Sequence, residues 1–293
     1  MKVGFVAILG RPNAGKSTFL NAVLSKKVSI VTPKAQTTRD SIMGILNEKG
    51  RQIVFVDTPG IFFGDGGLDR YMKRSAFSSS KDVDAILYLF DGSNKDLEKD
   101  FAIIDSLRSE APRVLVLNKI DLLRIEEGEE KKRLIKEKYP SCLLLEASFL
   151  KNFGLKEAKE ALVPYLSEGE PFYPEDTLTD KDISYRIKEI IRQELLHFMR
   201  EEIPHQSAVL IKKISQCKDG YEIEASLILN KANHKGIVIG KGGEMIKKIS
   251  MASRQEIQRV LKIHVSELLL KAEVKEGWRD DPAMLKKLGY AEQ

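Results

Sequence analysis

The feature that most constrains this chain is near its start. The apolar stretch Val3-Gly4-Phe5-Val6-Ala7-Ile8-Leu9 runs directly into Gly10-Arg11-Pro12-Asn13-Ala14-Gly15-Lys16-Ser17, and a helix pattern follows to about residue 25. A short unbroken apolar run reads as a strand buried on both faces, which is the habit of parallel sheets. The glycines permit a tight turn whose backbone N–H groups converge without Cβ collisions. A helix starting inside that turn adds its positive end to them. GxxxxGK[ST] between a strand and a helix therefore describes a cradle for phosphate oxygens inside an α/β layout.

Strand-like runs recur at 52–56, 85–90, 114–117 and 143–146, with charged helical stretches at about 96–109, 125–138 and 154–166. Two strand patterns, 41–47 and 52–57, flank Glu48-Lys49-Gly50-Arg51 and read as a hairpin, so one sheet edge is expected to be antiparallel. The rest reads as a doubly wound sheet. Residues 167–180 hold Gly169, Pro171, Pro174 and five acids without any period, as a linker would. The remainder reads helix (181–198), strands (206–215 and 221–229) around Lys218-Asp219-Gly220, helices (233–239 and 244–261), strand (262–274) and a short terminal helix. The expected architecture is thus α/β, with a doubly wound P-loop domain over 1–167, a linker over 168–180, and a second, smaller α+β domain over 181–293. Two domains suit a length of 293 residues.

With 42% hydrophobic and 31% charged residues, the chain can build packed cores and is no disordered tail. Its longest apolar runs, such as 86–90, fall far short of the roughly 20 residues a membrane span needs. There is no signal-peptide pattern, and Cys142 and Cys217 are not spaced as a metal or disulfide pair, so a cytoplasmic protein is expected. The four histidines, His197, His205, His234 and His264, have no metal-like spacing. Residues 181–293 carry 21 Lys/Arg against 16 Asp/Glu, and 231–265 carry 8 against 2, whereas the first 180 residues balance. A concentrated basic stretch points to a polyanion such as nucleic acid or a membrane surface.

Each motif has a chemical reading. Backbone groups of Gly10, Asn13, Ala14, Gly15 and the first helical turn through Thr18 would meet phosphate oxygens. Lys16 would reach the β- and γ-phosphates, and the Ser17 hydroxyl would ligate Mg²⁺. Asp57-Thr58-Pro59-Gly60 follows a strand, so Asp57 can hold Mg²⁺ through a water and Gly60 can bring its N–H to a γ-phosphate. Asn118-Lys119-Ile120-Asp121 also follows a strand. The Asp121 carboxylate can accept from guanine N1–H and the 2-amino group, donors that adenine lacks. The Lys119 stem can cover the base, and Asn118 can tie this loop to the phosphate loop. In Glu146-Ala147-Ser148, the Ala147 N–H could meet guanine O6.

In this order the motifs resemble the translation-factor-like GTPases. The resemblance implies that a threonine of Gln36-Thr37-Thr38-Arg39 binds Mg²⁺ and the γ-phosphate in a mobile loop. Two are adjacent, and related bacterial GTPases favour Thr38. Where many such enzymes orient the attacking water with a glutamine, this chain has Ile61, which implies slow intrinsic turnover. Asn13 is the residue the resemblance suggests for a K⁺ site.

Gly240-Lys241-Gly242-Gly243 lies between two helix patterns, with Lys235 before it and Lys247 and Lys248 after it. Helix–strand–strand–helix–helix–strand with such a GxxG loop resembles the type II KH fold, whose loop clamps single-stranded nucleic acid. Trp278 reads as an anchor for the terminal helix, with base stacking as the alternative.

The two halves together resemble the Era family of bacterial ribosome-assembly GTPases over nearly the whole chain, including Val274-Lys275-Glu276-Gly277-Trp278 and Leu288-Gly289-Tyr290. That resemblance implies GTP and GDP as ligands. It also implies the 3′ end of small-subunit ribosomal RNA and the small ribosomal subunit as partners, peripheral contact with the inner membrane, and a monomeric working form. Glu146 departs from the serine or threonine common at its position in the family.

Overall fold

The N-terminal apolar run forms β1 (Lys2–Gly10) inside a sheet, and residues 6–9 are wholly buried, as a strand covered on both faces must be. The computed structural model describes all residues except 35–36, 62–65, 80 and 291–293, so Gln36 lies outside the described residues. Contacts group the chain into two units, Met1–Phe63 with Met72–Asp180, and Gly64–Tyr71 with Lys181–Gln293.

After β1 come α1 (Lys16–Leu24), β2 (Ile42–Glu48), β3 (Arg51–Asp57), α2 (Gly67–Ser78), β4 (Ala85–Asp91), α3 (Glu98–Ser106), β5 (Arg113–Asn118), α4 (Ile125–Lys138), β6 (Leu143–Glu146), α5 (Leu155–Glu160) and β7 (Ser167–Glu168). The sheet order is β2-β3-β1-β4-β5-β6. The hairpin strand β2 is the antiparallel edge, and β7 adds two antiparallel residues to β1. From β1 the chain reaches β3 on one side and then β4 on the other. The carboxyl end of β1 is therefore a topological switch point, where a crevice for ligand opens. One apolar layer holds Ile8, Phe19, Phe55 and Phe149, and the other holds Leu9, Tyr88, Phe90 and Phe101.

The sequence reading has no helix at α2. Its pattern is sparse: among many charges only Leu68, Met72 and Ala76 recur at helical spacing, and all three are 0% exposed. The helix expected over 154–166 stops at Glu160. Pro164, which lacks an N–H, sits in a following 3₁₀ turn, Val163–Tyr165. Residues 168–180 are aperiodic but lie along the first unit. Ile45 N–H donates to Leu178 O at 2.9 Å, and Met43 N–H to Asp180 at 2.8 Å. The side chain of Gln52, itself 0% exposed, accepts from the N–H groups of Phe172 and Tyr173 and donates to Tyr173 O. An edge strand leaves backbone groups unpaired and a buried amide must be satisfied, and this stretch answers both needs.

The second unit contains α6 (Ile183–Phe198), β8 (Ser207–Cys217), β9 (Gly220–Leu229), α7 (Ala232–Ile239), α8 (Glu244–Leu261), β10 (Val265–Val274) and α9 (Pro282–Lys287). Asp182 caps α6 by accepting from Tyr185 N–H at 2.7 Å. β8 and β9 form the hairpin around Gly220, and β10 pairs parallel to β9. Ile187, Ile191, Leu227, Val238 and Ile249 lie in the core beneath the helices. This is the type II KH order that the sequence implied.

Candidate nucleotide site and nucleic-acid loop

The switch point carries a cleft of about 440 Å³. Asn13, Gly15, Lys16, Ser17, Thr18, Thr38, Gly60, Asn118, Lys119 and Asp121, all singled out from the sequence, line it. Gly10, Ala14 and Asp57 are not among its lining residues, and Ala14 and Asp57 are 0% exposed.

Two loop glycines have backbones that only glycine accepts readily. Gly10 has φ 146°, and an added Cβ would lie 2.5 Å from Leu89 O. Gly15 has φ 101°, and its Cβ would collide with the side-chain amide of Asn118. Lys16 lies across the loop, its Nζ donating to Gly10 O at 3.1 Å and Arg11 O at 2.9 Å. Burial pulls its pKa down to about 8, against the opposing pull of Asp57 and Asp100. Beneath the loop lies Asp100, which is 0% exposed. It accepts from Tyr88 Oη at 3.0 Å and from Arg11 Nη1 at 3.4 Å, and burial pushes its carboxyl up to about 6.

The Mg²⁺ ligands proposed from sequence meet at one point. Ser17 Oγ lies 2.9 Å from Thr38 Oγ1 and donates to Asp57 Oδ2 at 2.7 Å. Thr37 lines the cleft too, but its hydroxyl is engaged elsewhere, donating to Lys34 O at 2.6 Å and standing 2.7 Å from Thr32 Oγ1. Burial raises the pKa of Asp57, opposed by Lys16 and by hydroxyl bonds from Ser17 and Ser29. Its Oδ1 is buried without a hydrogen-bond partner. Two hydroxyls and one carboxylate with a spare oxygen form a hard-oxygen set that fits Mg²⁺, which keeps waters and phosphate oxygens as its other ligands. Ser29, 0% exposed and 2.9 Å from Asp57, escaped the sequence reading because nothing in its neighbourhood marks it.

At the other end of the cleft, Asn118 Nδ2 donates to Ala14 O at 2.8 Å and Asn118 Oδ1 accepts from Phe149 N–H at 3.1 Å. One buried amide thus joins the phosphate loop to the segment after β6. The Asp121 carboxyl is held below its usual range by the Ser148 hydroxyl and by Lys151. It therefore stays an acceptor. Ala147 is a correction. Its N–H already donates to Leu117 O at 2.9 Å in the β5–β6 ladder, and its side chain is 0% exposed, so the base-edge role expected of it is not available. Leu122 and Leu150 also line this end, 63% and 80% exposed. The sequence reading missed both, because an isolated leucine in a polar turn gives no signal.

Ile61 is 3% exposed, packed in the core, with its N–H toward Gly10 O at 3.3 Å, so its side chain cannot meet a water in the cleft. Gly60 passes so close to the loop that a Cβ would sit 2.6 Å from Pro12. Asn13, at φ 65°, donates from Nδ2 to Pro33 O at 3.0 Å.

In the second unit, Gly240, Gly242 and Gly243 all have positive φ, 73°, 59° and 80°. Met245 would crowd a Cβ on Gly240, but nothing lies within 4 Å of a Cβ on Gly242 or Gly243. That side of the loop is open. Lys235, Lys241, Lys247 and Lys248 are exposed around it, and α8 begins at its end. Trp278 is 0% exposed and donates to Gln206 O at 3.1 Å, which makes it an anchor and removes it from base stacking.

A family model for 50S ribosome-binding GTPases matches residues 5–119, and a KH-domain model matches residues 202–279. GTPase Era of Fusobacterium nucleatum is 42% identical over 301 aligned positions, covering 100% of both chains. GTPase Era of Caldanaerobacter subterraneus is 41% identical, covering 99% of this chain and 98% of that one. Two solved structures superpose with TM-scores of 0.95 at 36% identity over 100% of each chain. One is a variant of Aquifex aeolicus Era bound to GDP and AlF4⁻, and the other is Era with MgGDPNP and nucleotides 1506–1542 of 16S ribosomal RNA. Full-length likeness of this degree, on a chain whose cleft and glycine loop stand where those motifs require, places it in the Era family of GTPases.

Proposed function

We propose that the protein is a slow GTP-hydrolysing switch that binds the single-stranded 3′ end of small-subunit ribosomal RNA through its KH loop and assists maturation of the small ribosomal subunit. The observation that carries this reading is a pairing within one chain. A cleft holds a phosphate cradle at one end and an ionised acid at the other, and the second unit presents an open glycine loop ringed by four exposed lysines. The relative solved with 16S ribosomal RNA supports the identity of the nucleic acid.

In the cleft, Lys16 and the loop N–H groups stabilise the charge that gathers on the phosphate oxygens as the terminal phosphoryl group leaves. Ser17, Thr38 and, through water, Asp57 would hold Mg²⁺, which supplies further neutralisation of the β- and γ-phosphates. With Ile61 unable to hydrogen-bond water, orientation of the nucleophile is left to backbone groups at Thr38 and Gly60, hence the slow turnover. A K⁺ ion beside Asn13 would add positive charge there, and turnover in KCl against NaCl tests that. At the base end, Asp121 accepts from guanine while the Lys119 stem covers the ring. We place the protein in the cytoplasm as a monomer, with peripheral contact at the inner membrane. No helix among the described residues is long and apolar enough to cross a bilayer.

The test is binding of a labelled 3′-end oligonucleotide to the full chain in its GDP and GTP-analogue forms, over a salt series. The KH reading requires affinity to fall with salt, since lysine–phosphate contacts release counterions. Gly242→Asp, which puts a carboxylate where phosphate must approach, should weaken RNA binding at least tenfold while GTP affinity holds. Equal RNA affinity in this variant, or equal displacement of GTP by ATP, overturns the reading.

A further inference from the structure

The base end of the cleft has a wall that is braced from behind. Lys119 has a left-handed backbone, φ 62°, and its Nζ donates to Asp91 Oδ2 at 2.7 Å. Asp91 ends β4 and is 5% exposed. Its other oxygen accepts from the Ser93 N–H at 3.0 Å and the Ser93 hydroxyl at 2.5 Å. The turn that follows is itself fixed. Gly92 N–H donates to Asn118 O at 2.8 Å, and a Cβ on Gly92 would stand 2.6 Å from that oxygen. From α4, Lys131 Nζ donates to Gly92 O at 2.6 Å and Asn94 O at 2.8 Å.

A lysine stem in solvent samples many rotamers, and ordering it on ligand binding costs entropy. A buried carboxylate that is already hydrogen-bonded can take on that cost before ligand arrives, because it needs a cationic partner in any case. We infer that Asp91 is a positioning residue for the guanine nucleotide. It anchors the Lys119 ammonium so that the stem lies across the base end of the cleft, and the Lys131-braced turn keeps Asp91 in register with Asn118. Asp91 touches no ligand atom and acts through Lys119. The inference rests on the reading of Lys119 as part of the base site.

A double-mutant cycle tests it, with GDP affinity of the full chain measured by titration calorimetry for Asp91→Asn, Lys119→Met and the double variant. Asn keeps the shape and the Ser93 contacts but not the charge. Asp91→Asn should weaken GDP binding roughly tenfold, the scale of one lost charged hydrogen bond. In the Lys119→Met background it should cost nothing further, because the group it positions is gone. Lys131→Met, which loosens the turn without touching the cleft, should give a smaller loss that also vanishes in that background, and it serves if Asp91→Asn fails to fold. GDP affinity unchanged in Asp91→Asn, or losses that multiply in the double variant, refutes the positioning role. Unchanged affinity in Lys119→Met refutes the base-site reading itself, a distinct result.

Discussion

Asp100 offers a prediction whose size follows from its surroundings. It is 0% exposed, and burial lifts its pKa from 3.8 to about 6 despite Tyr88 and Arg11. A folded pKa above the unfolded one means that the native state holds the proton more tightly between those values. Stability from this group is therefore fully present below about pH 4 and is lost as pH rises through about 6. Holding the proton up to about pH 6 rather than to 3.8 corresponds to about 3 kcal/mol. Carboxyls held low, such as Glu48 and Asp105, slope the other way, so the difference between parent and Asp100→Asn isolates the effect. Asn mimics the protonated acid. The variant should match the parent near pH 4 and exceed its stability by about 3 kcal/mol at pH 7. Urea unfolding without nucleotide, followed by far-UV circular dichroism at both pH values, measures this. The sole tryptophan, Trp278, lies in the second unit, so fluorescence follows that unit separately as an internal control. A stability difference that stays constant across pH would refute the argument from burial.

Three further outcomes are expected. Gly15→Ala forces a Cβ against the Asn118 amide, so the bonds to Ala14 O and Phe149 N–H give way, and nucleotide affinity should fall by about 2–4 kcal/mol from backbone strain and two lost bonds. Fluorescent-GDP titration reads it, and parent-like affinity contradicts the linkage. Asp121→Asn presents a donor to the guanine donors, so GTP binding should weaken while xanthosine triphosphate binding appears; unchanged preference between the two removes Asp121 from the base site. Trp278→Ala empties a fully buried site and removes one of the two N–H donors to Gln206 O, the other being Asn230 N–H, which should cost about 3–5 kcal/mol in unfolding of the second unit. A urea midpoint shift too small for 1 kcal/mol would mean that the indole is dispensable.

The cleft was legible in the sequence wherever the chemistry demands a residue type at a fixed spacing. The phosphate roles proposed for Gly10, Gly15, Lys16 and Ser17 and the guanine role proposed for Asp121 each demand a residue type at a fixed place, one turn after β1 or just past a buried strand, so these identities appear in one dimension. The same holds for the GxxG loop, where left-handed backbone at Gly242 and Gly243 leaves glycine as the ready choice. The strand order became available only as far as short apolar runs alternate with helical ones. Tertiary structure alone decided the rest. It turned the Thr38 hydroxyl toward Ser17 and that of Thr37 toward Lys34 O, seated Ser29 on Asp57, consumed the Ala147 N–H in the β5–β6 ladder, and laid residues 175–180 along β2. Periodicity reports which side chains seek a core. It carries no record of which buried polar group will satisfy another from a distant part of the chain, because that pairing is settled by packing after the elements have formed.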